Sequence, residues 1–349
     1  AGLQWFEFMQ FTRSLVQTDR QIAFANVASH NHFAFVRGRH VFNSKAPVIK
    51  LRPGSPDSQY LHVAGLLNSS TLAFWMRQVF QPKGAGGIGG GYHAEQWSIR
   101  LEYDGSKLRS APIAQSGSIG EYAGVLDSLA RDVARPLLLD IPADAMTSGH
   151  RLRAIVADRV KERRTLIGQM VGIQEELDWA AYEAYGLLGH GQARTLPPVA
   201  VPSLGLGQRP FEIVLAQRVA DGEFETAWFS RHGAQQLTDV PADLPETYRE
   251  RIALRLQLIE QNPVVALVEQ PEYKRRWSKD ELQERVESEL KIALTEEVEQ
   301  LLAACGDVRS VRSIVHELQA SARFLALAEV FAGRSDLDLE ALVRDLIDA

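Results

Sequence analysis

Apolar residues recur along this chain in two rhythms, and the rhythm changes near residue 115. Before that point short alternating runs dominate. "QIAFANVA" (21–28), "HFAFVRG" (32–38), "HVFN" (40–43) and "APVIKLRP" (46–53) read as short strands. Asn, Gly and Pro separate them, as turns require. Two stretches in the same region have helical spacing instead. Residues 1–20 carry Trp5, Phe6, Met9, Leu15 and Val16 as an amphipathic set. Residues 69–80 align Leu72, Trp75, Met76 and Val79 behind an N-cap at Asn68 or Ser69. From Trp97 to Tyr103 the alternation returns and predicts a strand, closed by a turn at Asp104-Gly105.

Beyond residue 115 the spacing is helical almost throughout. Residues 121–145 predict a helix interrupted at Pro136 and Pro142. Residues 150–188 predict one long or once-broken helix, with Leu152, Ile155, Val156, Val160, Ile167, Met170, Val171, Leu177 and Tyr185 recurring on it. A Pro/Gly-rich linker, "TLPPVAVPSLGLGQRP", follows. Residues 211–219 read as helix or strand, Asp221-Gly222 as a turn, 245–260 as a helix, and the last 70 residues as charged helix. Strands gathered in one part and helices in the rest predict an α+β fold. The predicted boundaries are 1–115, a long-helix spacer and linker at 116–200, a small mixed α/β subdomain at 201–277, and a helical C-terminal region at 278–349.

The bulk numbers narrow the class. Of 349 residues, 45% are hydrophobic and 23% charged, the balance of a soluble globular protein. No run of 18 apolar residues occurs, so no membrane-spanning helix is expected. One cysteine, Cys305, excludes internal disulfides and a thiolate zinc site and fits a reducing cytoplasm. The chain begins at Ala1 in mid-pattern, which suggests a part of a longer polypeptide. The net charge of −6 is divided unequally. Residues 1–115 hold 12 Lys+Arg against 6 Asp+Glu, and residues 116–349 hold 26 against 38. A polyanion suits the first segment, and a scaffolding or protein-binding role suits the second.

Motifs exclude more than they assign. Gly84-Ala85-Gly86-Gly87-Ile88-Gly89 spells the dinucleotide-binding pattern, but that turn needs a strand before it and a helix after it. Here a helix leads in and a strand leads out. The acid near the right distance, Asp104, lies in a turn. "SHNHF" contains a literal H-N-H, yet a nuclease of that name draws those residues from separate elements. His30 and His32 have no evident third metal ligand. Glu269 and Glu272-Tyr273-Lys274 suggest half of a restriction-type nuclease site, without the upstream Asp that would complete the metal cage. Lys274, Arg275, Arg276 and Trp277 suit nucleic acid or a solvated basic turn equally. No nucleophile signature is present.

Several blocks, in order, resemble one family: "HNHFAFVRGRHVFNSKAPVIKL" (30–51), "LHVAGLLNSSTLAFWMRQVFQPKGAGGIGGG" (61–91), "QEELDWAAYEAYGLL" (174–188), "FEIVLAQRVADGEFETAWFSRHG" (211–233) and "VEQPEYKRRW" (268–277). They are similar to the C-terminal half of PglX-type adenine-specific DNA methyltransferases of BREX phage-defence systems. Two of them also resemble target-recognition domains of type IIG restriction–modification enzymes. Those domains share an "LLNS…FW" helix and a closing helix like Asp178 to Leu187. The family's catalytic loop, (N/D/S)-P-P-(Y/F), is missing. The only Pro-Pro here is Leu196-Pro197-Pro198-Val199, and no S-adenosylmethionine (AdoMet) turn is found.

The resemblance therefore implies a mixed α/β DNA target-recognition domain followed by a helical spacer and C-terminal region. Catalysis and AdoMet would belong to the parent enzyme's N-terminal domain, with no cofactor, metal or catalytic residue in this chain. Implied partners are double-stranded DNA, that N-terminal domain and other BREX proteins, in the cytoplasm and away from membranes. Candidate DNA contacts are His30, Asn31, His32, Arg37, Arg39, Lys45, Arg77, Lys83, Gly84, Gly86, Lys107, Lys274, Arg275 and Arg276. Glycines there would let main-chain N–H groups reach phosphates. On the long helix, Leu177, Tyr182 and Tyr185 are expected to be buried. Glu175, Glu176 and Glu183 are expected to face outward or meet basic partners. The competing reading is a non-catalytic protein-interaction module.

Overall fold

The computed structural model describes residues 18–83, 95–277, 281–304, 309–334 and 336–348. The expected helix over 1–20 falls outside these residues except for its last three positions. The chain divides into two compact units, residues 1–130 with 168–277, and residues 131–167 with 278–349.

The first unit contains both sheets. Strands β1 (Arg20–Phe24), β2 (Val27–Ala28), β3 (Phe33–Arg37) and β4 (Val48–Ile49) come first. β1 pairs antiparallel with β3 on one side, Ile22 opposite Phe35 and Phe24 opposite Phe33, and with β4 on the other. Helices α1 (Asp57–Leu67) and α2 (Ser70–Val79) follow, then β5 (Gln81–Pro82) and β6 (Leu101–Glu102). The second sheet has the order β2-β6-β5. Strands this short are not stable alone. A shared core of Ile22, Phe24, Phe33, Tyr60, Leu72, Met76, Phe80, Leu101 and Tyr103 supports them. α2 starts where the sequence places it: the Ser69 hydroxyl accepts from Leu72 N at 3.2 Å.

One predicted strand does not form and another is cut short. Residues 40–43 make no ladder, and Val41 is exposed. Residues 97–103 shorten to β6 because Gln96–Ser98 turn as a 3-10 helix. The reason is tertiary. The Trp97 ring packs edge-on against Trp228, with centroids 5.8 Å apart, and its carbonyl accepts from Arg275 Nη1 at 3.2 Å. That burial outweighs the alternating pattern.

Helices make up the remainder: α3 (Gly105–Leu108), α4 (Gly117–Ala134), α5 (Gly149–Ala184), α6 (Pro210–Ala220), α7 (Trp228–His232), α8 (Glu246–Gln261), α9 (Pro263–Val268) and α10 (Pro271–Lys274). The predicted long helix is α5, a single run of 36 residues. The 211–219 ambiguity resolves to helix α6, and the described residues of 201–277 hold no strand. Pro210, Pro263 and Pro271 each stand at a helix start, where a missing N–H costs nothing.

Residues 171–182 of α5 are all buried. A helix buried on every side needs partners on every side. One of them is the Pro/Gly linker, which lies on the helix: Leu204 N donates to Gly168 O at 2.9 Å. At Gly172 an added Cβ would stand 2.4 Å from Pro202 O, so only glycine permits this approach.

The second unit has its own core, in which Leu152 and Val156 of α5 meet α11 (Glu281–Ala303), α12 (Val311–Leu318), α13 (Ala322–Ala332) and α14 (Leu339–Ile347). Phe324, Leu327, Leu294 and Val343 are fully buried there. Ser310, Ser321 and Asp338 cap the last three helices.

Candidate nucleic-acid interface

Two groups of charged side chains in the first unit bear on function, one sealed and one partly buried. The sealed group is built on α5. Lys274 Nζ, with no exposed surface, lies 2.7 Å from Glu269 Oε1, 3.1 Å from Glu175 Oε2 and 3.2 Å from Asp178 Oδ2. Asp178 also accepts from Ser70 N at 2.9 Å, which ties the start of α2 to α5. Glu175 accepts from Trp179 Nε1 at 2.8 Å. The Tyr182 hydroxyl meets Ser70 Oγ at 2.8 Å and donates to Glu269 Oε1. The next residue after Glu175, Glu176, pairs with Arg255 at 2.8 Å, both fully buried, and accepts from the Tyr248 hydroxyl at 3.0 Å.

Burial disfavours every charge here, and the partners decide which charges persist. Desolvation alone would neutralise Lys274, but Glu175, Glu269 and Asp178 outweigh it and hold its pKa above the ordinary lysine value. Glu269 goes the other way: burial raises it to about 7 against the pull of Lys274, with the neighbouring charge of Glu175 adding to the rise. Arg209 and Glu212, paired at 2.8 Å, keep each other ionised despite complete burial.

This network connects α2, α5, α9 and α10, and its charged groups are at most 3% exposed. Lys274 is committed to carboxylates inside the fold, so its expected DNA contact is not carried forward. The half-site pattern around Glu269 and Lys274 likewise lacks support. Among the described residues no group of three or more His, Cys, Asp or Glu could hold a metal ion. On the long helix, Leu177 and Tyr182 are buried as expected, and Glu175 and Glu176 meet basic partners. Tyr185 is only half-buried, its hydroxyl donating to Pro112 O at 2.6 Å.

The partly buried group joins four stretches that are distant in sequence. His30 and His32 follow β2, with rings stacked at 6.0 Å and 16°. Arg77, near the end of α2, donates to Ser29 O and Glu272 O, each at 3.2 Å. Arg275, just past α10, places its guanidinium 5.3 Å from the Trp97 ring centroid. His232 of α7 stacks on Trp228 at 4.0 Å and meets Trp97 at 4.9 Å. Burial, then the positive surroundings of His32, Arg275, Arg276 and His232, push the His30 imidazole down to about 3. The local field is positive, which favours an anion.

The remaining candidates are scattered. Asn31 is buried and donates to Leu67 O and Ser69 O at 2.8 and 3.2 Å, a role inside the fold. Arg37 is held by Asp57 and Asp127 at 2.9 and 2.8 Å, and Arg39 by Asp19 at 3.3 Å. Lys107 donates to Val79 O at 2.9 Å. Arg276 is nearly buried, bonding Asp178 and Asn68 O. Lys45 is exposed, and Lys83 is exposed beside Glu102 at 2.7 Å. Gly84 and Gly86 lie outside the described residues. Trp97 and His232 were not singled out from sequence. Trp97 sat inside a run read as strand, and only its contacts reveal its position.

Fold and site thus define a helix-rich α+β protein with a partly buried basic cluster among its described residues. The chain belongs to the family described as "Domain of unknown function (DUF7008)", whose profile matches residues 170–349. It is also similar to "Adenine-specific methyltransferase PglX" of Streptomyces coelicolor (strain ATCC BAA-471 / A3(2) / M145), with 34% identity over 350 aligned residues. That match covers 96% of this chain but only 28% of the relative's length. No solved structure matches. Among the described residues no helix is long and apolar enough to cross a membrane.

Proposed function

We propose that this chain is the DNA target-recognition and scaffold portion of an AdoMet-dependent, site-specific adenine-N6 DNA methyltransferase of BREX phage defence. The observation that carries the reading is the 34% identity to an adenine-specific methyltransferase across 96% of the chain. The cationic cluster supports it, since phosphates supply most of the affinity in protein–DNA contacts. Chemistry belongs to a methyltransferase domain outside these residues, which binds AdoMet and accepts the flipped adenine. In the parent enzyme this chain holds double-stranded DNA, docks that catalytic domain and meets other BREX proteins, in the cytoplasm.

The test is binding of a mixed-sequence duplex to the 349-residue chain, followed by fluorescence anisotropy across a salt series. Affinity should fall linearly on log–log axes, losing a slope of about 1 per phosphate contact removed. Charge reversal at the exposed Lys45 and Lys83 should flatten that slope. A salt-independent interaction, or none, would favour the protein-interaction module instead.

A further inference from the structure

The acidic balance beyond residue 115 hides a local excess of positive charge. In the second unit three arginines converge on the carbonyls of residues 133–139, at the end of α4 and just past it. Arg163 of α5 and Arg285 of α11 share one acceptor: their Nη1 atoms donate to Val133 O at 2.7 and 2.6 Å. Arg285 Nη2 also donates to Ala134 O and Arg135 O at 2.8 and 2.9 Å. Arg159, one turn before Arg163, donates to Leu137 O and Leu139 O. Carbonyls orient these cations without neutralising them. Among the described residues the one carboxylate paired with the trio is Glu289, 2.9 Å from Arg285 Nε, and it also accepts from Leu137 N. Arg159 and Arg163 bond to carbonyls alone there, although only 7% of Arg163 is exposed. Burial first, then the charges of Arg285 and Arg159, lower the Arg163 pKa, and the fields of Glu289 and Glu162 offset part of that.

A nearly buried cation beside two others, with no acid of its own, is short of a counter-charge. The nitrogens that Arg159 and Arg163 do not use on carbonyls are not among the buried donors left without a partner, so an acceptor from solution can reach them. Guanidinium edges held in place match the paired oxygens of a phosphate. We propose that Arg159, Arg163 and Arg285 form a phosphate seat in the second unit, occupied by a phosphodiester of the duplex backbone. This rests on the DNA-binding reading above and extends it: the helical unit, and not the basic first segment alone, holds the duplex. An oxyanion in the seat supplies the counter-charge that the fold leaves out, and each arginine it neutralises releases about one counterion from the DNA.

The test is duplex binding by the 349-residue chain across a salt series, with Arg159→Gln and Arg163→Gln beside the charge-retaining Arg159→Lys and Arg163→Lys. Glutamine keeps an N–H for the carbonyl and removes the charge. Each glutamine variant should lower the log–log salt slope by about 1, and each lysine variant should keep it. Arg159 is only half-buried, so its variants decide the matter if Arg163→Gln does not fold. Wild-type slopes in the glutamine variants, with charge reversal at Lys45 and Lys83 still flattening the slope, would overturn the seat and leave DNA recognition standing. If the duplex does not bind at all, the DNA reading fails, and inorganic pyrophosphate decides the seat by itself. At matched ionic strength it should raise the melting temperature of the wild-type chain above that in chloride, and leave that of Arg159→Gln unchanged. No such difference would remove the proposal.

Discussion

Replacing Lys274 with Met separates the two roles that this lysine could have. Its ammonium lies within 3.2 Å of three carboxylates, Glu175, Asp178 and Glu269, all at most 3% exposed. Removing it leaves that acidic group without its direct ammonium partner, with Arg276 3.5 Å from Asp178 and Arg209 and Arg255 acting from further away. Breaking a buried ion pair by deleting one partner costs about 3–5 kcal/mol, since the surviving charge stays buried. In a unit of this size that lowers the melting temperature by on the order of 10 °C. The assay is thermal unfolding of Lys274→Met followed by tryptophan fluorescence, with Trp179 and Trp228 buried in the same unit. Adding Glu269→Gln removes one of the three acids and should restore part of the loss, a coupling that a double-mutant cycle measures. A loss below about 1 kcal/mol, accompanied by weaker DNA binding, would refute the argument, because it would make Lys274 a contact residue and not a structural one.

Three further outcomes follow from the same geometry. Gly172→Ala should destabilise the first unit by about 1–3 kcal/mol in urea unfolding, because its Cβ meets the Pro202 carbonyl, a backbone atom that cannot rotate away. Glu269 is raised from 4.5 to about 7, so the folded state holds a proton that the unfolded state releases between those values. Its contribution is therefore fully present below pH 4.5 and is lost as pH rises through 7; Glu269→Gln should flatten that part of a stability–pH profile. His30, shifted downward to about 3, works in the opposite direction, adding stability as pH rises towards 6.5, so the two variants should change the profile with opposite signs. Finally, the 349-residue chain incubated with AdoMet and DNA should transfer no methyl groups, measured by tritium incorporation. Turnover would place catalysis within these residues.

Much of the fold could be read locally. The α2 helix with its cap at Asn68 or Ser69, a long or once-broken helix over 150–188 and the helical last 70 residues follow from apolar spacing and capping chemistry, interactions that reach no further than four residues along the chain; the structure settles the cap on Ser69 and leaves α5 unbroken. The excess of basic residues before 115 and the lack of nucleophile or metal motifs were equally open to inspection. Tertiary structure decided which charges face water. Lys274, Arg275 and Arg276 are adjacent in sequence, yet the first is sealed against α5, the second lies over Trp97, and the third reaches Asp178, 98 positions earlier. Charge and hydropathy at a single position cannot predict such a division. A cation becomes structural or available only when folding brings a carboxylate, a carbonyl or open solvent within about 3–4 Å of it.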